Sequence, residues 1–246
     1  MKLSVLGDLH DYEFNDDNAE LVNIIANQQS DIILMIGDMI NNYSADTDSV
    51  INLVGTLKDI APVYYALGNH ELEWMDSHDE DLIAQLGSAG AIVLNREYCD
   101  IEIEGQKIRI GGLYDYAFSL QNFDSTDTTN EKVQVYNFLR EFEDTDAYKI
   151  MLSHRPDSFI FGDASKAWDI DLVASGHLHG GQVVLPFLGG VYGGDQGWFP
   201  EYVHGLYEKD DMNILVTSGL STNKKLVPRW NNPPEIVVLE LLPATE

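Results

Sequence analysis

Five short polar clusters, each placed where a hydrophobic run ends, limit what this chain can fold into more than any other feature. They are Asp8-Leu9-His10, Gly37-Asp38, Gly68-Asn69-His70-Glu71, Ser153-His154 and Gly176-His177-Leu178-His179. Four follow runs that read as buried β-strands, at residues 3–6, 32–36, 63–67 and 150–152; the fifth follows Leu172, Val173 and Ala174. In an α/β sheet the carboxyl ends of the strands share one edge, and ligands bind along it. Residues far apart in sequence then converge, and here two Asp, one Asn and five of the seven His do so. That combination predicts a metal site.

Carboxylate oxygen, amide oxygen and imidazole nitrogen suit divalent manganese, iron or zinc. Thiolate plays no part, because the single Cys99 lies in another segment. Centres that hydrolyse phosphate esters hold two ions roughly 3.5–4 Å apart, clamping the attacking and leaving oxygens. Such a pair needs a bridging ligand, and a carboxylate with two oxygens serves best. Asp38 is the expected bridge. Asp8, His10 and His179 then fall to one ion, and Asn69, His154 and His177 to the other. His70 remains free of metal, able to steady a phosphoryl group or to protonate a departing alkoxide.

Between the clusters the periodicity alternates. Residues 18–28 carry Leu21, Ile24 and Ile25 at helical spacing, and 46–57 carry Val50, Ile51, Leu53, Val54 and Leu57, with Asp46 or Thr47 as cap. Residues 79–86 predict a third short helix. Between 98 and 113 the period drops to two around Glu104-Gly105-Gln106, which predicts a hairpin. A helix is expected over 129–142, and short strands over 183–185, 202–207, 213–216 and 235–241. Right-handed βαβ units feeding one sheet, with a mostly antiparallel second sheet, give two packed sheets flanked by helices. With no internal repeat and no linker, residues 1–246 are expected to form one domain.

The ordered set D-x-H, G-D, G-N-H-E, a lone His after a strand, and G-H-x-H resembles the calcineurin-like metallophosphoesterase superfamily. Gly176-His177-Leu178-His179-Gly180-Gly181-Gln182 resembles the G-H-T-H-G-G-Q of one branch, which holds bacterial phosphodiesterases of the YkuE and YaeI type and relatives of UDP-2,3-diacylglucosamine pyrophosphatase. Leu152-Ser153-His154-Arg155-Pro156-Asp157 is similar to that branch's L-S-H-N-P-D, with Arg in place of Asn. Gly205-Leu206-Tyr207 and Pro233-Pro234-Glu235-Ile236 resemble its closing segments, so the likeness runs from Leu3 to Leu242. It implies a four-layer α/β/β/α sandwich, two mixed sheets between helices. It also implies two divalent ions, manganese first with iron or zinc as alternatives, held by Asp8, His10, Asp38, Asn69, His154, His177 and His179. His70 matches the residue that contacts phosphate and assists the leaving group. The implied activity is hydrolysis of a phosphodiester or pyrophosphate by a hydroxide bridging the ions. A phosphomonoesterase would use the same site with a different pocket. A non-catalytic scaffold would have lost ligands, and every expected ligand position is filled.

Three further residues are candidate substrate contacts. Arg229, resembling an Arg at that place in the branch, offers a bidentate fork for a phosphate. Trp198 lies in the glycine-rich, aromatic stretch 185–200, expected to form a mobile wall beside the site, and His204 lies next to it. Asp115 is either an orienting partner for a ligand or a turn residue. His78 is assigned to a solvated loop. The formal net charge of −27, from 41 Asp and Glu against 14 Lys and Arg, argues against nucleic acid and anionic membranes, both of which attract cations. No run reaches the roughly 18 apolar residues of a membrane span. Met1-Lys2 leads straight into a predicted strand, so a cytoplasmic protein acting on a small phosphorylated substrate is expected, with no protein partner.

Overall fold

The central strands are buried on both faces, and the alternation of their side chains between two sets of neighbours sets the layers. The computed structural model describes residues 1–114, 116–117, 131–223 and 227–242. Its first half runs β1 (Lys2–Leu6), α1 (Ala19–Gln28), β2 (Ile32–Met35), α2 (Asp48–Leu57), β3 (Val63–Ala66), α3 (Asn69–Ser77), α4 (Leu82–Ala89) and β4 (Ala91–Leu94). The second half continues with β5 (Glu97–Ile103), β6 (Gln106–Gly112), α5 (Glu131–Glu143), β7 (Tyr148–Leu152), α6 (Asp157–Ile160), α7 (Ala164–Ala167) and β8 (Leu172–Ser175). It closes with β9 (Val184–Leu185), β10 (Gly189–Gly190), β11 (Gly205–Lys209), β12 (Met212–Val216) and β13 (Val237–Glu240).

One sheet has the order β13-β1-β2-β3-β4, with β1 to β4 parallel and β13 antiparallel to β1. The other has the order β11-β12-β8-β7-β6-β5. Leu3, Val5, Ile32, Leu34 and Tyr64 from the first sheet meet Ile110, Ile150, Leu152, Leu172 and Leu215 from the second in one buried layer. The alternate residues Ile33, Met35, Val63 and Tyr65 pack with Leu21, Ile25, Leu53 and Val54 of α1 and α2. On the far side Met151, Val173 and Val216 pack with Val135, Leu139 and Phe142 of α5. Period two along each strand therefore supplies both faces of both sheets, giving the four layers.

The second sheet departs from the expected mostly antiparallel arrangement. Its four central strands, β6, β7, β8 and β12, are parallel, and only β5 and β11 at the edges run antiparallel. Strands β6, β7 and β8 are joined through helices, and β12 inserts beside β8 instead of continuing a meander. The hairpin stands where expected, turning at Glu104 and Gly105, both with positive φ, as a two-residue turn matched to strand twist requires. Helices α3, α6 and α7 and strands β4 and β10 were not expected. Helix α3 is acidic and weakly amphipathic, yet buries Trp74 and Glu71; β4 is a short edge strand on β3. Helix α2 begins at Asp48, whose N–H donates to Asp46 Oδ1, whereas the Thr47 hydroxyl donates to Gln85. Helix α4 begins later than expected, with Asp81 accepting from the Ala84 N–H. No helix among the described residues is long and apolar enough to cross a membrane.

The inter-sheet layer is where truncation costs most. Leu34→Ala, fully buried between the sheets, should lower unfolding free energy by about 2–5 kcal/mol. Ile24→Ala, on the exposed side of α1, should change it by less than about 0.5 kcal/mol. Urea unfolding of both variants checks this; equal losses would contradict the layering.

Candidate metal centre

The parallel strands deliver their polar clusters to one edge. Loops leaving β1 and β2 are stitched together there: the Asp8 N–H donates to Gly37 O at 3.0 Å, and the His10 N–H to Asp38 O at 3.1 Å. Five of the expected ligands, Asp8, His10, Asp38, His177 and His179, have φ between 47° and 70°. Left-handed backbone at non-glycine residues costs of order 1–3 kcal/mol each. It persists only where surrounding contacts hold it, and turning side chains inward to one point is its evident consequence. Space is equally tight. A Cβ added at Gly176 would come within 2.4 Å of Asp8 Oδ2, and one at Gly68 within 2.2 Å of Asp38 Oδ1.

Donor atoms converge in three overlapping groups, each within 4.8 Å: Asp8 with His10 and His179; His10 with Asp38 and His70; and Asp38 with His154 and His177. Asp38 Oδ2 lies 3.9 Å from His10 Nε2, 3.1 Å from His154 Nε2 and 3.8 Å from His70 Nε2. Asp8 Oδ1 lies 3.9 Å from both His10 Nε2 and His154 Nε2. Asn69 Oδ1 and His10 Nε2 are buried with no hydrogen-bond partner. With His154 Nε2, also without a hydrogen-bond partner, these orphaned atoms on three of the expected ligands fit divalent cations, because burying such atoms unpaired is costly.

Hydrogen bonds on the far side of each ring select its tautomer. His154 Nδ1 sits 2.8 Å from Ile36 O, and His179 Nδ1 sits 3.2 Å from Ser221 O. A carbonyl only accepts, so Nδ1 carries the proton in both rings; for His154 this leaves Nε2, 3.1 Å from Asp38 Oδ2, as the coordinating nitrogen, whereas His179 turns Nδ1 toward Asp8 Oδ1 as well, at 3.8 Å. His10 Nδ1 faces Asn41 Oδ1 at 3.2 Å. The Asn41 amide cannot be turned the other way, since its Nδ2 already donates to His10 O and Asp11 Oδ2. His70 is the reverse case. Its Nδ1 accepts from the Asn42 N–H at 2.9 Å, so the ring proton sits on Nε2, facing Asp38. A nitrogen bearing its proton is a donor, not a ligand.

Electrostatics divides the cluster. Burial pushes the Asp8 carboxyl up, partly opposed by His154, to about 7. Burial also pushes Asp38 upward, but His154, through its charge and hydrogen bond, together with His10 and His70 outweighs it and holds the carboxyl well below its ordinary range. His154 is driven down by burial and raised further by Asp38, reaching about 9. Burial lowers His10 to about 4 and takes His179 well below the usual imidazole range. The metal-free centre is thus an ion pair, Asp38 with His154, beside two neutral imidazoles.

The residues that hold this arrangement were not all expected. Glu71, fully buried, accepts from the Asp38, Met39 and Gly68 N–H groups at 2.8, 2.8 and 2.9 Å and from the Tyr65 hydroxyl at 2.7 Å. It ties the loop bearing Asp38 to the loop bearing Asn69 and His70. Its place in Gly68-Asn69-His70-Glu71 was the available signal. Asn41 and Asn232 carry no motif and were missed.

Arg229 requires a correction. Its Nε donates to Asn232 O, Nη1 to Gly219 O and Ser221 O, and Nη2 to Asn232 Oδ1 and Pro233 O, all between 2.8 and 3.0 Å. A guanidinium has five N–H donors; all are taken, so no fork is left for a substrate phosphate. His204 Nε2 lies 2.7 Å from Glu235 Oε1, and both line a cavity of about 760 Å³ that also touches Gly180, next to His179. Trp198 is 72% exposed and meets the Tyr192 ring edge-on at 5.3 Å. Its loop is anchored to the ligand-bearing turn, since the Val191 and Tyr192 N–H groups both donate to Gly181 O. His78 is not loosely solvated: its ring stacks on Trp74 at 4.3 Å. Asp115 lies outside the described residues.

Comparison with known proteins identifies the family. The family model for calcineurin-like phosphoesterase matches residues 1–181. An uncharacterized metallophosphoesterase of Campylobacter jejuni is 29% identical over 243 residues, covering 98% of this chain; the chain spans 59% of that relative's length. The phosphodiesterase YaeI of Escherichia coli is 26% identical over 249 residues, covering 98% of this chain and 82% of its own. Among solved structures, a Thermus thermophilus sulfate thiohydrolase, SoxB, superposes with a TM-score of 0.56 at 11% identity, over 96% of this chain and 55% of that one. That last likeness concerns the fold alone.

The protonation pattern has a measurable consequence. A cation entering the centre must displace the protons that His154 holds up to about 9 and Asp8 up to about 7. Apparent affinity for Mn²⁺ should therefore rise between pH 6 and 9, by up to about tenfold per pH unit for each proton displaced. The linkage for His154 itself runs the other way. The stability it contributes to the metal-free fold is complete below its ordinary value of 6.5 and is lost as pH rises through about 9. Calorimetric titration at pH 6, 7 and 8 checks the affinity; a flat profile would contradict the pattern.

Proposed function

The chain belongs to the calcineurin-like phosphoesterase family, and on that premise we propose that it hydrolyses a phosphodiester or pyrophosphate bond at a two-metal centre. One observation carries the proposal: buried Asp8 and Asp38 share the imidazoles of His10, His154 and His179, whose Nδ1 atoms face acceptors, while the His70 ring is turned the opposite way. Asp8, His10, Asp38 and His179 would hold one ion, and Asn69, His154 and His177 the other, with Asp38 shared. Two such ions would supply an activated water and neutralise the charge of the phosphoryl oxygens. Manganese is the first expectation, with iron or zinc as alternatives, because mixed nitrogen and oxygen ligation suits all three. A diester is favoured because the YaeI relative, whose whole length is largely covered, carries that activity in its name.

The remaining work falls to the chain's own groups. His70 Nε2–H, held in place by the Asn42 N–H at Nδ1, would donate a hydrogen bond to a phosphoryl oxygen. Such a donor is worth most in the transition state, where negative charge builds on that oxygen. The loop of residues 185–200, carrying Trp198, and the cavity lined by His204 and Glu235 would take the part of the substrate that does not react. Burying that part would contribute binding energy to the chemical step.

Rates on bis-(p-nitrophenyl) phosphate and p-nitrophenyl phosphate with added divalent metals test the class. The diester should be the faster substrate with Mn²⁺; preference for the monoester would make the enzyme a phosphomonoesterase, and inactivity on both despite bound metal would make it a scaffold. Asp38→Asn should lose activity and metal content together, read by elemental analysis; full metal occupancy would sink the bridging role. His70→Ala should retain metal and slow turnover by roughly 10²–10³-fold. The loss should be similar for alkyl and nitrophenyl leaving groups. A much larger loss for alkyl leaving groups would instead make His70 the proton donor.

A further inference from the structure

The five hydrogen bonds of Arg229 lead back to one side of the metal centre. Gly219, whose carbonyl takes one of them, packs so closely that a Cβ there would come within 2.5 Å of Asp8 Cβ. Ser221, whose carbonyl takes another, donates its own N–H to Asp8 O at 2.8 Å and turns the same carbonyl to His179 Nδ1 at 3.2 Å. Asn232 receives two more, at its backbone oxygen and at Oδ1. With its amide thus oriented, Asn232 Nδ2 donates to His179 O at 2.6 Å and to Gln182 O at 3.1 Å. The turn it grips is left-handed throughout, with φ of 47°, 60° and 78° at His179, Gly180 and Gly181, and of these only His179 carries a side chain that disfavours it.

We propose that Arg229 is a positioning residue for one ion only, the one that Asp8, His10 and His179 would hold. This rests on the two-metal reading above. Arg229 reaches His179 by two routes, through the Ser221 carbonyl at the ring and through Asn232 at the backbone, and reaches Asp8 through Gly219 and Ser221. None of its hydrogen bonds goes to Asn69, His154 or His177. The planar fork is what the task needs. Its donors point apart in one plane and span the 219–221 segment and the 232–233 segment at once, which a lysine ammonium on a flexible stem cannot do. The charge of Arg229 also faces Asp8. A purely electrostatic role and a positioning role therefore predict different outcomes for Arg229→Lys.

The test uses the full chain, stripped with chelator and titrated with Mn²⁺ by calorimetry, with electron paramagnetic resonance reading the coupled ion pair. Wild type should bind two ions and show the coupled signal. Arg229→Gln and Arg229→Lys should each weaken one ion at least tenfold and leave the other within about threefold. The coupled signal should be lost at concentrations that saturate wild type. Asn232→Leu, which keeps Arg229 but cuts the link to the His179 carbonyl, should weaken one ion likewise, and it decides the matter if the Arg229 variants do not fold. Native affinity for both ions, equal weakening of both, or full recovery with lysine would overturn the positioning role. Wild-type protein that binds no Mn²⁺ would overturn the metal centre itself, and this role with it.

Discussion

Two carboxylates buried side by side are the constraint on which the rest of the structure depends. Asp8 and Asp38 have essentially no exposure, and one imidazole, His154, lies within 3.9 Å of both. Removing a carboxylate from water carries an effective penalty of several kcal/mol even after relaxation. The chain offsets it in part with its own donors: the His177 N–H to Asp8, the His70 N–H to Asp38, and a proton on His154. These leave two carboxylates with too little positive charge around them. Divalent cations would complete the balance, and the same cations would make the site chemically active. The fold's four layers serve this end, since parallel strands in both sheets bring their ends to one edge.

Around the donors stands a second set of groups that decides which atom each donor presents. Carbonyl or amide oxygens face Nδ1 of His10, His154 and His179, and in His10 and His154 that contact turns an Nε2 lone pair toward the carboxylates. A backbone N–H facing Nδ1 of His70 does the opposite. Two rings packed edge to face at 4.7 Å, His10 and His70, thus differ in chemical role because of one hydrogen bond each. Glu71 and Arg229 act one step further out. Glu71 uses a buried carboxylate to gather N–H groups from the loops after β2 and β3. Arg229 uses a half-buried guanidinium to gather carbonyls from the loop after β12 and the segment before β13.

What was legible in the sequence follows from what is local. Strand ends bearing Asp8, Asp38, His154 and His177 were readable because a hydrophobic run followed by a polar cluster is a short-range pattern, and their order in the chain is a second. Helix α3 was not readable, because the acidic run from Glu71 to Asp76 hides the single deep anchor, Trp74. The parallel centre of the second sheet was not readable either, since nothing near residues 212–216 says that the strand will insert beside β8. Arg229 was singled out for its rarity as a cation, yet its role was misread. The acceptors that consume its fork are backbone carbonyls, and any residue type supplies those. Contacts between a side chain and distant backbone leave no trace in the identity of the partner, and such contacts make up most of what shapes this centre.

The central claim is that the cluster holds two divalent ions joined by Asp38. Crystals grown with Mn²⁺ and measured on both sides of the manganese absorption edge test it most directly. The account predicts two anomalous peaks roughly 3.5–4 Å apart, one against Asp8, His10 and His179, the other against Asn69, His154 and His177, with Asp38 in contact with both. A single peak, or two peaks of which Asp38 touches only one, would contradict it.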